Sequence, residues 1–134
     1  MQNLLNKISQ KYARKEIELD LTPLFDEPVT GVGVELSWID RRRVIKMFDG
    51  KADGDGNGDS VSYYESSALM LILSVYVKDE SGNLVRLFQD SKESMDMVCR
   101  IIQTKNLDVL LKPLNQLNGF IAEEVKEDKA EEKN

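Results

Sequence analysis

The run Asp53-Gly54-Asp55-Gly56-Asn57-Gly58-Asp59 sets oxygen-bearing side chains at alternate positions, the spacing with which a loop wraps a calcium ion. Such a loop needs oxygens at its first, third and fifth positions and a glycine at the sixth; Asp53, Asp55, Asn57 and Gly58 supply them. Its twelfth position needs a bidentate glutamate, and Tyr64 stands there, with Glu65 one residue late. The usual β-branched eighth position is Ser60, with Val61 again one late. Without the bidentate ligand, the set Asp53, Asp55, Asn57 and Asp59 is better explained as a flexible Gly/Asp loop than as a metal site. Neither a metal nor a cofactor is expected.

Other chemistry is limited by what the chain lacks. It has no histidine, and so neither the commonest general base nor the commonest transition-metal ligand. Cys99 is the one cysteine, which rules out an internal disulfide and a thiol pair for zinc. No Ser–His or Cys–His pair can form, and no spacing singles out two carboxylates, so no catalytic residue is nominated. A net charge of −6 opposes binding to a phosphate backbone. The one basic cluster, Arg41-Arg42-Arg43, suits a solvated helix face or ion pairs better than a nucleic-acid footprint.

The elements that carry these residues follow from period and punctuation. Leu4, Leu5, Ile8 and Tyr12 predict an amphipathic helix over 3–13. Ile17, Leu19 and Leu21, then Val32, Val34 and Leu36, alternate as two half-buried strands, with Gly31 and Gly33 weakening the second or marking a bulge. Ser37 caps a helix from about Trp38 to Phe48, which Gly50 can end. The capping box Ser62-Tyr63-Tyr64-Glu65 opens a central helix through Ala68–Leu73; a buried strand near Leu71–Val77 is the rival. Ser81-Gly82-Asn83 is a turn, followed by an extended Leu84–Phe88. Asp90 with Glu93 opens a helix whose face is Met95, Val98, Cys99, Ile101 and Ile102, where Cys99 is a packed small hydrophobe. A last helix carries Leu107 to Leu117, kinked or restarted at Pro113 and closed by Asn118-Gly119.

The expected fold is α+β and predominantly helical: a small antiparallel β-hairpin in the N-terminal third packed against about four to five helices. One folded domain spans 1–122, with a flexible Gly/Asp loop at 49–61 and a disordered acidic tail at 123–134. The longest apolar stretch, Ala68–Val77, is too short to span a bilayer, and Met1–Lys7 has no signal-peptide pattern. A cytoplasmic protein is the expectation.

The order of these segments resembles that of a known family. A strand pair leads into Leu36-Ser37-Trp38-Ile39-Asp40-Arg41, and a central apolar helix ends at a short acidic Gly turn before Leu87-Phe88. Two C-terminal helical segments then finish in Leu117-Asn118-Gly119, and a charged tail follows. This resembles the tail assembly chaperones of long-tailed, lambda-like bacteriophages, over about Ile17 to Phe120. The resemblance implies a non-enzymatic role in virion morphogenesis: binding the tape measure protein, keeping it soluble and helping to recruit the major tail tube protein. It also implies self-association into oligomers or a spiral, a place in the host cytoplasm, absence from the mature virion, and no nucleic-acid or membrane partner. Such genes tend to add a longer frameshifted product. Glu132-Lys133-Asn134 can be encoded GAA-AAA-AAC, which holds the slippery string A-AAA-AAC. The alternatives are a small acidic secretion-type chaperone and, further off, a calcium-binding protein through the Asp53–Asp59 loop.

Overall fold

The computed structural model describes residues 2–52 and 58–120. Among them are four strands: β1 (Glu16–Asp20), β2 (Thr30–Val34), β3 (Val75–Lys78) and β4 (Leu84–Arg86). The helices are α1 (Gln2–Lys11), α2 (Thr22–Phe25), α3 (Trp38–Ala52), α4 (Gly58–Ser74), α5 (Lys92–Thr104) and α6 (Asp108–Leu117). The strands form one antiparallel sheet in the order β1-β2-β3-β4. The fold is mixed α+β and mostly helical, as the sequence predicts, with the expected hairpin extended to four strands.

The two added strands come from the segment with two rival predictions. The apolar run divides: helix α4 holds through Ser74, and β3 starts at Val75 without a loop. Its first three residues, Val75-Tyr76-Val77, are β-branched or aromatic and suit a pleated surface. The Ser74 hydroxyl donates to the Val34 carbonyl, tying the end of α4 to β2. The β3–β4 turn is closed by Asp79, whose Oδ1 accepts from Ser81 N and Asn83 N, both at 2.9 Å. Gly82 supplies the positive φ of +85° that the turn requires.

Helix α4 is the centre. Ala68, Leu69, Met70, Leu71, Ile72 and Leu73 are all buried, because α3, α5 and α6 pack around it. Such a helix, apolar on every side, is stable only where water is excluded all round.

Several local expectations change. Helix α3 continues past Gly50 to Ala52, so that glycine does not stop it; a helix interior tolerates glycine at a cost of about 1 kcal/mol. Helix α4 already begins at Gly58, ahead of the Ser62–Glu65 box. These two helices take up both ends of the predicted 49–61 loop, and residues 53–57 lie outside the described residues. The N-cap of α5 is Ser91, accepting from Ser94 N at 3.2 Å, while Asp90 is drawn away to Arg43. Helix α6 runs through Pro113 as one element. It ends as expected: Gly119 has φ +78°, Gly119 N donates to Gln116 O, and Phe120 N donates to Asn115 O.

The glycines of β2 mark no bulge, since the β1–β2 register is unbroken from Glu16↔Val34 to Asp20↔Thr30. They are there for close packing. A Cβ on Gly33 would lie 2.8 Å from Leu114 Cδ2, and one on Gly31 would lie 2.9 Å from the Tyr76 carbonyl and 2.4 Å from Leu21 Cδ1. Their missing side chains let α6 and Leu21 sit directly on the sheet.

Candidate interaction surface

The residues with chemical potential are mostly engaged inside the fold. Asp53, Asp55 and Asn57 lie outside the described residues, and Asp59 falls in the first turn of α4. A helix uses for its own ladder the backbone carbonyl that a calcium loop takes from this seventh position. No cluster of three or more potential metal-ligating Asp, Glu or Cys side chains occurs among the described residues. Cys99 is half-buried, with Sγ 3.8 Å from Tyr64 O and 3.9 Å from Met95 Sδ. Burial, and then the charges of Glu65 and Asp96, push its thiol pKa up, which keeps it protonated and unreactive.

The arginine cluster divides its work. Arg41 donates to the Asn118 carbonyl and stacks on the Phe120 ring, 4.6 Å from its centroid. Arg43 makes a two-pronged bond to Asp90, at 2.8 and 3.1 Å, and sits 3.5 Å from Asp40. Arg86 completes the group, 3.7 Å from Asp40, while donating to Ile72 O at 3.2 Å. This network ties α3 to β4 and to the start of α5.

The Arg43 hydrogen bonds hold the Asp90 carboxyl below its ordinary value, against a smaller opposing effect of burial. A lowered folded-state pKa means the stabilisation is present above the unfolded carboxylate value of about 4 and is lost as pH falls through the folded value. Urea midpoints of the native chain and Asp90→Asn should therefore differ at pH 7 and converge by about pH 2–3. The gap is expected to be small, because both partners are partly exposed. A gap that persisted unchanged at low pH would show that charge is not its source.

What remains on the surface is apolar. Helix α1 has no buried residue: Leu4 is 60% exposed, Leu5 58%, Ile8 56% and Tyr12 beyond it 72%. Helix α3 buries Val44 and half-buries Met47 but shows Trp38, 73% exposed, together with Ile39, Ile45 and Phe48. Trp38, Ile45 and Phe48 follow one another at seven- and three-residue steps and so share one stripe of the helix, with Arg42 alongside. Apolar residues at such spacing are ordinarily core, which is why sequence reasoning leaves both stripes unassigned. A signal was available in α3: apolar residues at 38, 39, 44, 45, 47 and 48 exceed what one buried face can take.

The two stripes leave the sheet at the same end. Lys15 and Glu35 extend the β1–β2 ladder, with Glu35 N donating to Lys15 O at 2.8 Å and Lys15 N to the Glu35 carboxylate at 3.0 Å. Helix α1 ends four residues before Lys15, and α3 begins three residues after Glu35.

No family model, curated protein or solved structure matches this chain. No described helix is long and apolar enough to cross a membrane.

Proposed function

We propose that this chain is a non-enzymatic tail assembly chaperone of the lambda-like phage type. It binds the tape measure protein in the host cytoplasm, keeps it soluble, helps recruit tail tube subunits, and is left out of the finished virion. The observation that carries this reading is the exposed stripe of α3. Trp38 and Ile39 lie within Leu36–Arg41, the stretch that best expresses the family resemblance, and both face solvent. Their neighbours there have internal duties: Leu36 is core, Ser37 accepts from Asp40 N, and Arg41 holds the C-terminal turn. An exposed tryptophan followed by Ile45 and Phe48 suits the apolar face of a long helix, which is the surface a tape measure protein must keep covered before assembly.

Co-expression with the tape measure protein of the same phage tests the reading. The native chain should carry that protein into the soluble fraction as a complex. Trp38→Ser combined with Ile45→Ser should abolish the complex and leave the chaperone's own unfolding midpoint nearly unchanged, since neither side chain is core. A tape measure protein that stayed insoluble beside the native chain would end the proposal. The frameshifted longer product belongs to the same reading; AAG at Lys133 would eliminate this slippery string.

A further inference from the structure

Helix α1 has an exposed apolar stripe and an unusual charge. Residues 2–15 hold Lys7, Lys11, Arg14 and Lys15 and no carboxylate, in a chain whose net charge is −6. Lys7 and Lys11, one turn apart, border the Leu4–Ile8 stripe on one side. A surface of opposite character lies on the sheet. It is a trough of about 560 Å³ lined on its apolar part by Ile17, Val29, Val32 and Val77, with Glu16 and Glu18 on the edge strand β1. Lys78, on β3, is its one cation.

We infer that α1 docks into the Glu16/Glu18 trough of a second copy of this chain. Leu4, Leu5 and Ile8 cover Val32 and Val77, and Lys7 and Lys11 lie over the glutamates of β1. The first turn of α1, from Gln2 to Leu5, is uncharged and meets Lys78 without repulsion. The helix does not reach the trough of its own chain. Tyr12 N and Ala13 N still bond back to Ile8 O and Gln10 O, Lys15 is held in the ladder, and the Arg14 side chain donates to Glu35 O at 2.8 Å. That leaves no free span in which to reverse α1 over its own β1. Since each docked copy still has an open trough, the contact is head-to-tail and propagates. The inference rests on α1 and the trough alone, and stands or falls apart from the tape measure reading.

Sedimentation equilibrium of the full chain, up to about 0.5 mM because so small an interface is weak, provides the test. The native chain should gain mass with concentration, and less so in about 0.5 M salt. Leu5→Asp with Ile8→Asp, and separately Glu16→Lys with Glu18→Lys, should raise the dissociation constant at least about tenfold. All four positions are exposed or only on α1, so neither variant endangers the folded domain. Mixed together, the two variants should form a heterodimer and stop there, because one has a sound trough and the other a sound helix. Adding Lys7→Glu and Lys11→Glu to the Glu16→Lys/Glu18→Lys chain should restore self-association. A native chain that stays monomeric throughout, or association that survives the trough substitutions, would overturn the inference. So would a monomeric chain that uses α1 to bind phosphatidylglycerol vesicles, which would assign the helix to a lipid surface.

Discussion

Leu114→Ala is expected to lower the unfolding free energy by about 3–4 kcal/mol, toward the upper part of the range for deleting a fully buried leucine side chain. Leu114 is completely buried on α6, and its Cδ2 rests over the bare backbone of Gly33. The surroundings cannot close the gap well, because β2 is held by strands on both sides. The site also makes a coupled prediction. Gly33→Ala alone forces its Cβ to 2.8 Å from Leu114 Cδ2 and 3.1 Å from Ile17 and Leu19, and should cost about 1–2 kcal/mol. In the Leu114→Ala background the same methyl enters vacated space, so the coupling between the two changes should exceed about 1 kcal/mol. Denaturant titration of the four chains measures it; additive losses would mean that Gly33 is not there to receive Leu114.

Asn118→Ala is the second large effect, about 2–3 kcal/mol, or on the order of 10 °C in Tm for a chain of this size. Asn118 is 4% exposed, and its side chain is used at both ends. Its Oδ1 accepts from Leu36 N at 2.8 Å, across a separation of 82 residues, and its Nδ2 donates to Leu114 O at 2.9 Å. Alanine leaves the Leu36 N–H buried and unpaired, and an unmet buried donor costs more than the bond itself contributes. The backbone carbonyl of residue 118 would still accept from Arg41, so the α3–C-terminal contact should weaken without vanishing. Amide exchange at Leu36 provides a local readout: protection there should collapse further than at Val32 or Leu71. A Tm within about 2 °C of the native chain would refute this account of Asn118.

The two sequence stretches that suggested a family, Leu36–Arg41 and Leu117–Phe120, turn out to touch. Asn118 grips the Leu36 backbone, and Arg41 grips the Asn118 backbone and the Phe120 ring. Their unusual composition therefore has a structural cause: the C-terminal turn is locked onto the passage from β2 to α3. Trp38 and Ile39 have no such duty, and they are the residues to which the functional proposal assigns the tape measure contact.

Much of the fold was legible because its signals act within one turn of chain. Ser37 does receive Asp40 N, and Asp79-Ser81-Gly82-Asn83 does turn the chain. Gly119 does close α6 with positive φ, and the Ala68–Leu73 run is indeed the buried centre. The candidate surface was not legible. Leu4, Leu5 and Ile8 have the spacing of a core stripe, and nothing local distinguishes a stripe covered by its own chain from one left bare.

By itself the sequence determined the helical periods, the turns, the absence of histidine chemistry and the mostly helical α+β class, since each depends on residue type and short-range geometry. Only the tertiary structure decided where α4 gives way to β3, why β2 carries two glycines, which partners Arg41 and Arg43 take, and which apolar stripes face water. These depend on meetings between Val34 and Ser74, Gly33 and Leu114, Leu36 and Asn118, and Arg43 and Asp90. Residues that far apart in the chain have no local register to announce their pairing, and a stripe becomes core or surface only when some other element does or does not arrive to cover it.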